Sequence, residues 1–413
     1  MATVALLGTL DTKGQEYAYL RDRVEKAGCA VLMINAGVVA DPEYRVAFSR
    51  ADVAAAAGTD LEQLLESGRG NAVVTQGRGA AEIVKRLFAE NRIDGLLGMG
   101  GSGGSSIVST AMRELPVGVP KLLVSTMASG DTTPYVGISD ITMMYPVVDF
   151  AGINRLSARI LANAAAAMAG MARAYEAFHY TDEGRPLVGA TMYGTTTRCV
   201  DTAREWLEGN GYEVLVFHAN GPGGRSMEAL IESGHITAAL DVTTTEILDE
   251  LAGGTTTAGP DRLEMAGKLG VPQVVAPGAA DQITFRPPSA VPDAYRDRWS
   301  HEHNHAVTLI RSNEAEMAAF GRVLAEKVSA ATGPVAVFVP LRGFSEYGVE
   351  GGIFYDPVAD KALVEALRKH LADHVEVIEM DTHINDPEFA LAMARKLDEL
   401  YRTSLQATAG VST

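Results

Sequence analysis

Cysteine is nearly absent, with only Cys29 and Cys199 in 413 residues. Two cysteines cannot build a disulfide framework, and this pair lacks the spacing of a zinc site. They read as small core residues suited to a reducing compartment. Positive charge is also scarce. Lys and Arg total 35 against 52 Asp and Glu, a net charge of −17. That balance excludes a general nucleic-acid or membrane-surface binder, because phosphate backbones need cationic partners. A local anion site stays open, since a few cations and bare backbone suffice to make one. Long apolar runs are missing too. The nearest is the alanine-rich LANAAAAMAGMA at 161–172, closely flanked by Arg155, Arg159 and Arg173. It reads as a packed helix and not as a membrane span. The first residues, MATVALLGTLDTKG, carry no basic region and are broken by Gly8, which argues against a signal peptide. A soluble cytoplasmic protein is the expectation.

What the chain has in plenty is glycine, 42 residues, gathered where apolar runs end. The stretch DGLLGMGGSGGSS, Asp94 to Ser106, reads as a buried strand (Ile93, Leu96, Leu97, Met99) that breaks at Gly98, Gly100, Gly101, Gly103 and Gly104. The helix-like IVSTAMRE follows. Such a turn presents backbone N–H groups and the positive end of a helix dipole. Glycine lets an anion approach the backbone, and Ser102, Ser105 and Ser106 offer hydroxyls. The readings are a phosphate or carboxylate cradle and an ordinary tight turn. Three other strand ends share this character: Gly8–Lys13, the turn after Asn35, and Ser125–Thr133. At the first of these, Asp11 and Thr12 are good helix caps, and Lys13 stands where a cation meets a phosphate. Ligands of open α/β sheets bind beyond the carboxyl ends of the strands, so the coincidence favours a real site. Residues Thr75–Gly79 are expected to open a further helix. There Gly77 and Arg78 either meet an anion or lie in a solvent-facing cap.

The strand–helix alternation restarts at RPLVGATMYG (185–194) and runs to the end. It predicts an α/β protein of two doubly wound domains, 1–180 and 181–413, with mostly parallel sheets and a ligand crevice between them.

Several polar groupings fall in the second half. SHEHNH places His301, His303 and His305 at alternate positions. On a strand all three share a face, as metal ligands do, yet the segment reads as loop and lacks an accompanying Cys or Glu-x-x-His. A metal site, a hydrogen-bonding or general-base role for His303, and an ordinary polar loop all stay open. Asp381 and His383 form a candidate acid–base pair, against which Asp386 only caps a helix and His383 only fills a turn. Ser345, in GFSEYG, departs from GxSxG, so a serine hydrolase is not indicated. Arg311 and Arg342 are candidates for a carboxylate or phosphate fork, or else for surface ion pairs.

GTLDTKG, QGRGAAEIV, GMGGSGGSS, STMASGD with PYVG, and DPEFA together resemble the Tm-1-like ATP-binding family, also called UPF0261, over essentially the whole chain. The resemblance implies two Rossmann-like subdomains, ATP bound in the first with Mg²⁺ as a candidate companion, and a homodimer. Carried onto this sequence, its nucleotide contacts fall on Gly8, Thr9, Asp11, Lys13, Gly100, Gly101, Ser102, Gly103, Gly104, Ser105, Ser125, Thr126, Ser129 and Asp131. Of the histidine run only His303 and Asn304 match the family pattern, which counts further against a three-histidine metal site. The expected function is thus ATP binding with Lys13 as counter-charge. An acidic small-molecule substrate is expected near Arg311, Arg342, His303, Asn304, Ser345 and His383. The alternatives are a hydrolase, lyase or phosphotransferase acting on a carboxylate or keto acid, and a non-catalytic interaction module.

Overall fold

A computed structural model of the protein describes residues 1–178 and 184–411. The chain divides into two compact units, residues 1–181 and 182–413.

Unit 1 runs β1 (Thr3–Gly8), α1 (Leu10–Lys26), β2 (Ala30–Asn35), α2 (Arg50–Ala56), α3 (Leu61–Glu66), α4 (Arg69–Ala89), β3 (Gly95–Gly100), α5 (Ser102–Arg113), β4 (Lys121–Ser125), α6 (Thr133–Val136), β5 (Thr142–Met144) and α7 (Arg155–Ala177). Its strands pair in parallel in the order β2-β1-β3-β4-β5. Strands such as TVALLG are apolar throughout because both sheet faces are covered. On one face α1 and α7 bury Tyr17, Leu20, Leu161 and Met168; on the other α4 and α5 bury Ile83, Leu87, Ile107 and Met112. The alanines of α7 are small enough to bring that helix close to the sheet, and Ala164, Ala165, Ala169 and Ala172 are fully buried. Among the described residues no helix is long and apolar enough to cross a membrane.

Unit 2 runs β6 (Leu187–Met192), α8 (Thr197–Gly209), β7 (Glu213–His218), α9 (Pro222–Glu232), β8 (Ala238–Thr243), α10 (Thr245–Ala252), α11 (Met265–Leu269), β9 (Gln273–Gly278), β10 (Gln282–Phe285), β11 (Ser300–Asn304), β12 (Val307–Arg311), α12 (Glu314–Ser329), β13 (Val335–Pro340), α13 (Pro357–His370), β14 (Glu376–Met380) and α14 (Pro387–Val411). Six strands form a parallel sheet in the order β14-β13-β9-β8-β6-β7. Helices α8 and α14 cover one face, and α10, α12 and α13 the other. Both units therefore wind alike: the second strand lies to one side of the first, and the third to the other. The doubly wound, mostly parallel fold is as expected from the sequence.

Three local expectations are corrected. Gly98 lies inside β3, where a Cβ would come within 2.4 Å of Val108, and the helix begins at Ser102, not after the serines. Thr75–Gly79 lie in the interior of the 21-residue α4 and do not open it. SHEHN is strand, not loop: β11 pairs antiparallel with β12, which pairs with β10 in a small third sheet.

Candidate functional site

A doubly wound sheet splits apart where its winding reverses, here between β1 and β3, and ligands of such folds sit at that point. The ladder between these strands stops at Leu7–Gly98. Just beyond it the chain turns into α1 on one side and α5 on the other. Neither helix is capped by its own N-cap residue; at α1 the Asn35 Oδ1 accepts from Leu10 N at 3.1 Å, while α5 has no side-chain cap. An uncapped N-terminus such as that of α5 offers backbone N–H groups and a favourable dipole to an anion. The approach of strand to helix is tight. A Cβ on Gly100 would come within 2.9 Å of Gly104 Cα, so glycine is required there.

Between these turns lies a cavity of about 720 Å³. Thr9, Asp11, Lys13 and the Gly100–Gly104 backbone form its polar wall, and Val38, Val39, Leu64, Leu65, Val73 and Ile107 its apolar one. Four charged side chains line it: Lys13, Arg69, Asp11 and Asp149. Lys13 sits at a kink in α1 and donates to the Phe150 carbonyl. Asp11 uses only one oxygen internally. Its Oδ2 accepts from Val38 N and Val39 N, both at 2.9 Å, while its buried Oδ1 has no hydrogen-bond partner.

The cavity thus brings together Thr9, Asp11, Lys13 and Gly100, Gly101, Ser102, Gly103 and Gly104. The remaining candidates support its walls or lie apart. Gly8 leaves room for Tyr17, whose hydroxyl would stand 1.8 Å from a Cβ at that position. Ser105 and Ser125 are buried and hydrogen-bonded to each other at 2.6 Å. Thr126 Oγ1 lies 3.7 Å from where a Cβ on Gly101 would be. Ser129 ends the short helical turn after β4. Asp131 accepts from Thr133 N at 3.0 Å, and hydrogen bonding by Thr133 pulls its carboxyl below the ordinary value. Gly77 packs against α5, a Cβ there lying 3.6 Å from Ile107 Cα, and Arg78 faces solvent. Sequence reasoning missed Arg69. The signal was the helical period running unbroken from 69 to 89, which puts the cation beside the start of α4 and the Gly-Arg-Gly in its middle.

In unit 2 the turn after β6 is held by side chains of its own. Gln282 Nε2 donates to Thr195 Oγ1 at 2.6 Å and Asn385 Nδ2 to the Thr195 carbonyl at 2.9 Å. His303 Nδ1 lies 3.2 Å from Tyr347 Oη, and Asn304 Oδ1 accepts from Ala306 N to shape the β11–β12 turn. Among the described residues no group of three or more His, Cys, Asp or Glu is placed to hold a metal ion. Asp381 does not meet His383 as a pair. It takes a bidentate fork from Arg342 at 2.6 and 2.7 Å, while His383 Nε2 stands 3.0 Å from Asp386 Oδ1. Arg311 is buried and spent on internal partners: the carbonyls of Phe354 and Ser312 and the carboxylate of Asp360. Ser345 is likewise buried, donating to Asp281 Oδ2 at 2.6 Å.

Two Rossmann-like α/β units, the first with a cavity at its switch point, define the class of protein. The chain belongs to the Uncharacterised protein family (UPF0261): that family's N-terminal domain matches residues 2–177 and its C-terminal domain residues 185–401. A UPF0261 protein of Clostridium tetani is 50% identical over 396 residues, covering 95% of this chain and 98% of the relative. The ToMV resistance protein Tm-1(GCR237) of Solanum lycopersicum is 39% identical over 337 residues, which is 80% of this chain but 45% of the tomato protein. Among solved structures, UDP-GlcNAc 2-epimerase from Methanocaldococcus jannaschii aligns over 97% of this chain and 100% of its own. Its sequence identity is 11% and its TM-score 0.22, a likeness too weak to build on.

Proposed function

We propose that unit 1 binds ATP, its phosphates lying over the β1–α1 and β3–α5 turns. The observation that carries this reading is the convergence of the β1–α1 and β3–α5 turns, the second opening an uncapped helix N-terminus, on one cavity at the switch point. Lys13 and Arg69 supply counter-charge to the phosphates, and the apolar wall of Val38, Leu64 and Val73 suits the base. The donor set also fits Mg²⁺, a hard cation that takes carboxylate oxygens and substrate phosphates. Asp11, with Oδ1 free of partners, is the residue to hold it.

Isothermal titration of the full chain with ATP, with and without Mg²⁺, tests the reading. Binding in the micromolar to millimolar range is expected, weakened about tenfold by Lys13→Ala or Arg69→Ala, the loss of one charge-assisted contact. No binding at millimolar ATP would sink it. Wild-type affinity in Lys13→Ala would remove the counter-charge role.

A further inference from the structure

Unit 2 holds a second cavity, of about 680 Å³, between the loop that follows β13 and helix α13. Its floor is apolar, with Phe344, Tyr355 and Val364, and its rim is cationic, with Arg342, Lys361 and Arg368. Two carboxyls, Glu350 and Asp360, also line it. We propose that this cavity is a ligand site for a small organic carboxylate with an apolar body, and that Asp360 takes up a proton as the ligand docks. This is independent of nucleotide binding in unit 1.

Two of the three rim cations are committed to exposed partners. Arg342 and Asp381 are 65% and 72% exposed, and Lys361 and Glu365 are 73% and 59% exposed. Exposed pairs of this kind contribute little, because water screens them. A ligand carboxylate can therefore replace Asp381 in the Arg342 fork without a large loss, while an apolar body covers Phe344 and Val364. Drug-sized ligands occupy cavities of this size, with few polar groups among apolar walls.

Asp360 differs from the rim. Its Oδ1 accepts from Arg311 Nη2 at 2.6 Å, and its side chain is 15% exposed. The other donors of Arg311 go to the Phe354, Ser312 and Asp356 carbonyls, so Arg311 is the partner of Asp360 and not of the ligand. Asp281, from the β9–β10 turn, and Asp356, at the start of α13, add negative charge around Asp360. Glu350 and His383 also face the cavity, from the loop after β13 and the turn after β14. Burial, with Asp281 and Asp356 adding to it and Arg311 opposing, pushes Asp360 up to about 7. A further carboxylate in the cavity raises the cost of its charge again. Asp360 then takes a proton from the buffer acid: the bond from hydrogen to the buffer breaks, leaving its conjugate base, as the O–H bond of the carboxyl forms.

The test is calorimetric titration of the full chain with 1-naphthoate near neutral pH, in two buffers of different ionisation enthalpy. Expected are binding at millimolar or lower concentration and uptake of a fraction of a proton. The Arg342→Ala/Lys361→Ala double variant, altered only at exposed side chains, should lose about fivefold or more in affinity, and neutral 1-naphthalenemethanol should bind more weakly. Asp360→Asn should abolish the proton uptake. Any of the following overturns the proposal: no binding of 1-naphthoate, equal affinity in the double variant, equal binding of the alcohol, or buffer-independent heats. Uptake that persists in Asp360→Asn would move the proton to another group such as His383 and overturn the role of Asp360. ATP titrated into the same double variant reports on unit 1 separately.

Discussion

Tyr17 Oη accepts the amide hydrogen of Met99 at 2.8 Å, and the same hydroxyl donates to the Leu7 carbonyl at 2.6 Å. Beyond Leu7–Gly98, where the β1–β3 ladder ends, a side chain from α1 takes up the hydrogen bonds that a further rung would have made. The strands part there, and the cavity opens above. Tyr17→Phe keeps the ring and strands a buried N–H, an expected cost of about 1–3 kcal/mol. Urea denaturation measures it. An unchanged midpoint would mean that the hydroxyl does not hold the strands.

Gly100→Ala places a methyl 2.9 Å from Gly104 Cα, backbone against backbone. The first turn of α5 must shift to admit it, taking its N–H groups out of register with the Gly8–Lys13 turn. Folding should persist with a loss of about 1–3 kcal/mol, as for an overpacked site, while ATP affinity falls at least about tenfold. Wild-type affinity would show that the α5 N-terminus makes no contact with the nucleotide.

Asp249 supplies a pH dependence. It is fully buried, accepts from Thr256 N and Thr284 N at 2.9 Å, and desolvation pushes it up to about 6 despite those bonds. A carboxyl raised above its unfolded value binds more protons in the folded state than in the unfolded one. Its contribution to stability is therefore full below about pH 4 and is lost as pH rises towards about 6. Other carboxylates change stability over the same range, so the comparison is with Asp249→Asn. The stability of wild type relative to that variant should fall by about 2–3 kcal/mol from pH 4 to pH 7, read from urea midpoints across that range. A difference constant with pH would refute the assignment.

Arg262 lies buried among three carboxylates. Its guanidinium meets Glu246 Oε2 at 2.6 Å through Nε, Asp241 Oδ1 at 2.7 Å through Nη2, and Glu228 Oε1 at 3.4 Å through Nη1. Arg262→Met leaves two of the three carboxylates without solvent or a counter-ion. Breaking a buried network in this way costs about 3–5 kcal/mol, which thermal unfolding would register as a large drop in midpoint. A small change would mean that the network relaxes to water.

The strand ends of unit 1 are legible in the sequence because an apolar run that breaks into Gly, Ser and Asp can neither prolong a buried strand nor fill a core. The helix boundaries are less so. QGRGAAEIV reads as a helix start because glycine punctuates local structure, yet here the glycines serve packing: a Cβ on Gly79 would stand 1.9 Å from the Val53 carbonyl oxygen. The third sheet is hidden because β11 is a polar, largely exposed strand, with histidines in place of the β-branched residues that mark strands. Asp360 gives no signal either. An aspartate in the first turn of an amphipathic helix looks like a dipole partner, and only burial beside Arg311 distinguishes it. Arg311 and Ser345 stand out by type, but their partners lie 49 and 64 residues away along the chain, beyond the reach of local pattern.

Helix α4 is a single rod of 21 residues, about 31 Å long at the usual rise. Its middle is clamped to α2 at Gly79, and its first residue, Arg69, lines the unit 1 cavity. The placement of that cation is therefore governed two to three turns away, as the reach of a lever is set at its fulcrum. A bulkier residue at position 79 would be felt in the cavity without touching it.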